Sequence, residues 1–247
     1  MQTTNGETTQ GVAPPMEACV DPWRRLSPHG SLRLLTYSFG PGSANTLAVR
    51  LEDGGWLVVS PSLGTAESAF AALEAEGPVR ALLAPNAYHH RGQAEWRARF
   101  PGAISYAPDG AIQRLRSKST VTYQPVQGLV PLLPEHLEIV LPDGQKSPDL
   151  LVRAGSSWWL GDLFSNLAAG DQSWPLRLVS RLAGSGLGYR RNTRPGLVYV
   201  RDEAAWLRSV RQALEQHPPA VVIPAHGAPI TENAAAQTLA LVQSPGA

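Results

Sequence analysis

Three apolar stretches of this chain each run directly into residues able to hold a metal ion. Val79–Ala84 leads into Pro85-Asn86-Ala87-Tyr88-His89-His90, Ser157–Leu160 into Gly161-Asp162, and Ala220–Ile223 into Pro224-Ala225-His226-Gly227. Neutral imidazole and carboxylate are the donor set of zinc, iron and manganese sites. A divalent ion so held lowers the pKa of water and polarises a carbonyl or phosphoryl oxygen. Each piece taken singly has a plainer reading. A lone histidine is more often hydrogen-bonded in place, and a Gly-Asp pair is a turn in which the Asp bonds its own backbone. Adjacent strand residues face opposite ways, so His89 and His90 share an ion only on a bend. Pro85 favours leaving the strand at that point.

The elements that must bring these residues together read as alternating strands and helices. Ser31–Phe39 reads as a strand, and Thr46–Leu51 with Trp56–Ser60 as a hairpin around Glu52-Asp53-Gly54-Gly55. Thr65–Glu76 reads as a helix capped by Thr65. Val79–Ala84, Ala103–Ala107, Leu137–Leu141, Asp149–Arg153, Ser157–Leu160 and Ala220–Ile223 read as strands. Gln93–Phe100, Asp202–Gln216 with an Asp202 cap, and Thr231–Val242 with a Thr231 cap read as helices. Trp158 and Trp159, adjacent on a strand, must put one ring on each face. In such α/β arrangements chemistry gathers beyond the carboxyl ends of strands.

Composition narrows the classes. The 247 residues suffice for one well-buried core. Twenty-one basic residues against 20 acidic give a net charge of +1, with no bulk attraction to nucleic acid or anionic membrane. A single cysteine, Cys19, excludes an internal disulfide framework and a cysteine-rich zinc cluster. No apolar run is long enough to span a bilayer. The polar segment 1–20 reads as a disordered tail without a secretory signal, which sets the expectation of a cytoplasmic protein with one domain over 21–247. Trp174 and Trp206 are candidate interface residues for a homo-oligomer. Arg177, Arg181, Arg190, Arg191, Arg194 and Arg201 flank a flexible Gly184–Gly188 segment. They are a candidate anion surface, but the low net charge favours a solvated loop over nucleic-acid binding.

The order of these motifs resembles the metallo-β-lactamase superfamily. The resemblance covers Leu32 to Leu241 and is carried by APNAYHHRGQAEWRARFPGA, WLGDLFSN and VVIPAHGAPI. It implies a four-layer αβ/βα sandwich. Matching His90-Arg91-Gly92 to the end of the family's HxHxDH motif puts His90 on its last histidine and His89 on its aspartate. Asp162 matches the bridging aspartate and His226 the final histidine. Pro85 and Ala87 stand where the first two histidines belong. The middle histidine falls in Pro142–Asp149, where only Gln145 or Lys146 is found. The resemblance therefore implies one surviving position for a divalent ion, zinc first and iron or manganese as alternatives, held by His89, His90, Asp162 and His226. The implied activity is hydrolysis of a small-molecule ester, lactone, thioester or phosphoester. His89 and Asp162 would be catalytic, His89 as ligand or general base, and Tyr88, Arg190 and Arg191 would contact substrate. The alternative is a binding protein on a degenerate hydrolase fold, metal-free or with a structural metal.

Overall fold

Alternation in the first half of the chain builds one seven-stranded sheet, laid out in sequence order. In the computed structural model, which describes residues 22–26, 31–40, 42–175, 178, 186–192 and 199–243, its strands are β1 (Arg24–Arg25), β2 (Leu32–Ser38), β3 (Ser43–Arg50), β4 (Trp56–Val59), β5 (Val79–Leu83), β6 (Ile104–Ala107) and β7 (Tyr123–Pro125). Pairing is antiparallel from β1 to β4 and parallel from β4 to β7. The parallel crossovers carry helices α1 (Glu67–Glu74), α2 (Gln93–Arg99) and α3 (Asp109–Arg116).

The second half forms a four-stranded sheet from β8 (Leu137–Val140), β9 (Leu151–Ala154), β10 (Ser157–Trp159) and β13 (Val221–Ile223), in the order β13-β10-β9-β8. A three-stranded sheet joins β11 (Phe164–Leu167), β12 (Gly188–Arg191) and β14 (His226–Gly227). Helices α4 (Glu203–Gln216) and α5 (Ala234–Gln243) also belong to this half. No described helix is long and apolar enough to cross a membrane.

Period-two alternation sorts the strand side chains into layers. Leu57, Val59, Ala81 and Leu83 meet Val152, Trp159 and Ile223 in the core between the two large sheets. The alternate residues Trp56, Val58 and Leu82 face outward onto Phe70 and Leu73 of α1 and Trp96 of α2. On the other side Leu151, Trp158 and Val222 face Trp206, Val210 and Leu214 of α4 and Val242 of α5. The result is the expected four-layer arrangement, and Trp158 and Trp159 do face opposite layers.

Three local expectations need correction. Helix α1 starts at Glu67, and Ala66 rather than Thr65 takes its N-cap position, without a side-chain cap. Thr65 is engaged elsewhere: Trp96 Nε1 donates to its hydroxyl at 3.1 Å and its N–H donates to Glu95 at 2.7 Å. Helix α5 starts at Ala234, not Thr231. Reciprocal backbone bonds between Ile230 and Val222 keep the chain extended there, and Asn233 is left-handed at φ +49°. Trp206 is buried at 1% exposure, packed 6.0 Å from the Phe164 ring, and offers no interface, whereas Trp174 is 72% exposed. The segment 1–20 with Cys19, and Arg177, Arg181 and Arg194, lie outside the described residues. The Asp202 cap forms as expected, its carboxylate accepting from the Ala205 N–H at 3.0 Å.

Candidate metal centre

Each of the three apolar strand ends is bent by a specific hydrogen bond. After β5, the Asn86 side-chain oxygen accepts from the N–H groups of Tyr88 (2.8 Å) and His89 (3.0 Å), an Asx turn that folds the chain off the strand. After β10, a single 3₁₀ turn over Gly161–Leu163 carries Asp162. Gly161 sits at φ +66°, and a Cβ there would lie 2.5 Å from both Asp149 carboxylate oxygens, so only glycine lets the turn close on Asp149. After β13, Asn45 of β3 donates to the carbonyls of Pro224 (2.9 Å) and Gly227 (2.8 Å), which fixes the backbone on both sides of His226.

These bends bring His89, Asp162 and His226 together, with one donor atom from each within 4.8 Å of the others. His89 Nε2 lies 2.7 Å from Asp162 Oδ1, and His226 Nε2 lies 3.3 Å from the same oxygen. The outward ring nitrogens are both engaged. His226 Nδ1 donates to the Ser43 carbonyl at 2.7 Å, and His89 Nδ1 lies 2.7 Å from the Ser60 hydroxyl. Such outer bonds fix ring orientation and leave Nε2 to face an ion. Asp162 Oδ2 accepts from the Tyr199 hydroxyl at 2.7 Å and from Asn86 Nδ2 at 3.1 Å, leaving Oδ1 turned to the histidines. The donor set and its outer partners fit a divalent ion of the zinc, iron and manganese group, and these residues form a candidate metal site.

A second carboxylate, Asp149, lies behind Asp162. It is buried at 1% exposure, accepts from Asn86 Nδ2 at 2.8 Å and from the Asp162 N–H at 2.9 Å, and has its backbone gripped by Gln145. Burial, and then the Asp162 charge, push the Asp149 carboxyl well above its usual range. Burial works on Asp162 in the same direction, but the His89 and His226 imidazoles outweigh it and hold Asp162 well below that range. The two neighbouring carboxyls are thus shifted in opposite directions. Tyr199 is driven up by burial and by Asp162, so its hydroxyl stays a donor.

The triad opens onto a cavity of about 180 Å³ lined by Tyr37, Phe39, Leu63, Tyr88 and Arg91 among others. Of the residues nominated from sequence, His89, Asp162, His226 and Tyr88 are at this cavity. His90 is not in the donor group, and its Nδ1 is buried without a hydrogen-bond partner. Burial, reinforced by the Arg114 guanidinium, lowers the His90 imidazole below its usual pKa. The Asx turn explains the separation, because it directs His89 alone toward Asp162. Arg190 and Arg191 are not among the lining residues. Arg191 is buried and ion-paired with Glu203. Gln145 and Lys146 take no part as donors: Gln145 holds Asp149, and the Lys146 backbone bonds the Tyr199 carbonyl. Sequence reasoning passed over Asn86, Asp149, Tyr199 and Ser60. Asn86 stood inside the quoted PNAYHH motif, where an Asn just past a strand is itself a turn signal.

Solved structures show the same architecture. A metallo-β-lactamase from Hirschia baltica superposes with TM-score 0.57 at 14% identity, covering 90% of this chain and 98% of that one. The FIM-1 enzyme from Pseudomonas aeruginosa, in its mono-zinc form, gives 0.56 at 15% identity, with 92% and 98% covered. A metallo-β-lactamase from Erythrobacter litoralis, with β-mercaptoethanol in its active site, gives 0.57 at 19% identity, with 90% and 95% covered. No protein-family model and no curated protein matches the sequence. The chain has the metallo-β-lactamase fold, as its motif order implied.

Proposed function

We propose that this protein is a metal-dependent hydrolase with a single ion position, held by His89, Asp162 and His226. The observation that carries the reading is the inward pairing of two Nε2 atoms with Asp162 Oδ1 while both Nδ1 atoms are tied outward. The mono-zinc form of FIM-1, on the same fold, supports a one-ion reading. Zinc is the first candidate, and iron and manganese use the same donors. Three protein ligands leave a coordination position open, the pattern of catalytic rather than structural zinc.

When bound, the ion supplies Lewis acidity and an acidified water. This chain's residues supply the rest. Asp162 is kept ionised by its histidines and oriented by Tyr199 and Asn86. Tyr37 lines the cavity with a hydroxyl whose pKa burial raises, so it keeps its proton and can donate to an oxyanion. Tyr88 offers a second hydroxyl there. The small cavity fits a small-molecule ester, lactone, thioester or phosphoester. His89 serves as a ligand in this reading, since Ser60 occupies its other nitrogen.

Elemental analysis of wild type, His226→Ala and Asp162→Asn, each titrated with zinc and desalted, tests the reading. The expected result is close to one ion per wild-type chain and little in either variant, with chelator-sensitive turnover of a panel of esters, thioesters and phosphoesters. Negligible metal in all three proteins ends it.

A further inference from the structure

The cavity beside the donor triad carries two charged lining residues, Asp162 and Arg91. The Asp162 charge is already committed to His89 and His226, with Tyr199 and Asn86 bonded behind it. Arg91 is different: it is exposed and engages in no ion pair among the described residues. Its backbone is nonetheless tightly placed. The next residue, Gly92, packs so closely that a Cβ there would lie 2.1 and 2.2 Å from the Ser62 and Pro61 carbonyl oxygens. The backbone that carries Arg91 is thereby held in place, and Arg91 lines the cavity together with Leu63, Tyr37, Phe39 and Tyr88. A second guanidinium, that of Arg114, lies 4.6 Å from the centroid of Tyr88 and likewise has no ion pair among the described residues. Arg91 thus puts a permanent cation on the lining of a concave site, and Arg114, outside that lining, stacks on one of its aromatic residues. A cation so placed concentrates small anions even when the whole chain is almost neutral, as here at +1.

We propose that this cavity binds a small organic anion, its charged group against the Arg91 guanidinium and its apolar body against Phe39, Leu63 and Tyr88. The inference rests on the cavity being the substrate site and names the substrate class: an ester or related compound bearing a carboxylate or phosphate. The arginines nominated from sequence, Arg190 and Arg191, have no part in it. The cavity, of about 180 Å³, has room for the acid group and a short chain or single ring beside it.

Isothermal titration of benzoate, phenyl phosphate and neutral benzamide into wild type, Arg91→Gln and Arg91→Lys tests the proposal. At least one anion should bind wild type saturably and more tightly than benzamide. Arg91→Gln should weaken it by about tenfold, the factor that about 1.4 kcal/mol represents, and Arg91→Lys should restore part of the loss. Whichever anion binds more tightly identifies carboxylate or phosphate as the recognised group. Equal affinity in wild type and Arg91→Gln, no binding of either anion, or benzamide matching the anions would each overturn the proposal. The metal content of the same preparations is read separately. A wild-type chain that takes up no metal ends the metal reading alone and leaves the comparison at Arg91 intact.

Discussion

His226 shows how one imidazole is held for two competing occupants. Burial pulls its pKa down, but the hydrogen bond and charge of Asp162 outweigh burial and leave it above 6.5. A histidine whose folded pKa is raised lends stability that is complete below 6.5 and lost as pH climbs through the folded value. Metal-free protein should therefore melt at its highest near the lower end of that window and lose stability above it, while His226→Gln flattens the dependence. Thermal melts in chelator across pH about 6 to about 9 check this. Metal retention should run the other way, since an ion needs the neutral ring. The Ser60 hydroxyl meets His89 at the ring nitrogen that faces away from Asp162. Ser60→Ala should still weaken metal affinity, by about 10–100-fold, which a chelator-competition titration would read. His89, Asp162 and His226 were legible because each follows an apolar strand. The choice between His89 and His90 was not, because it depends on an Asn86 turn whose other bonds reach residues 63 and 76 positions away. Asp149 and Tyr199 were hidden for the same reason: their roles exist only once β9 and the segment before α4 have docked.

At the scale of elements, the Gly161 turn is the joint on which the centre depends. Gly161→Ala would put a methyl against the Asp149 carboxylate at a left-handed φ. Strain of this kind costs about 1–3 kcal/mol, and the steric clash adds to it. Denaturant melts should show at least that loss, together with weakened metal binding, because Asp162 is the next residue. The long apolar strands and α4 were readable from pattern, with boundaries within a few residues. The helix start at Thr65 was misplaced because Trp96 and Glu95 engage that residue, and the start at Thr231 because the pairing of Ile230 with Val222 keeps the chain extended up to it. The small sheet of β11, β12 and β14 gave no signal at all. Its strands are only two to four residues long and mix polar with apolar residues (FSNL, GYRR, HG), whereas the equally short β10 and β13 stood out as apolar runs. Helix α3 was passed over because its polar residues obscure an apolar face of Ala111, Ile112 and Leu115.

Across the whole molecule, Trp158 and Trp159 divide the two cores between them. Truncating either to alanine should cost about 3–5 kcal/mol, the usual range for a buried tryptophan. The consequences for the centre should differ. Trp159 lies 6.3 Å from the His89 ring, edge to face, whereas Trp158 donates to the His217 carbonyl under α4. Trp159→Ala should therefore impair metal binding as well as stability, and Trp158→Ala stability alone. Paired denaturation curves and zinc titrations of the two variants would separate these outcomes.

The positions of His89, Asp162 and His226 along the chain carry a last consequence. His89 belongs to the first sheet's final crossovers, Asp162 lies 73 residues on, and His226 sits in a strand held by Asn45 of the opposite half. An ion shared by all three would act as a reversible staple across the seam between the halves, closing long loops as a disulfide would in a chain that has only Cys19 to offer. Folding and loading would then be one coupled equilibrium. At an ion concentration about 100 times its dissociation constant the staple adds about 2.7 kcal/mol, so stripping the ion should loosen the two halves together and not merely silence a pocket.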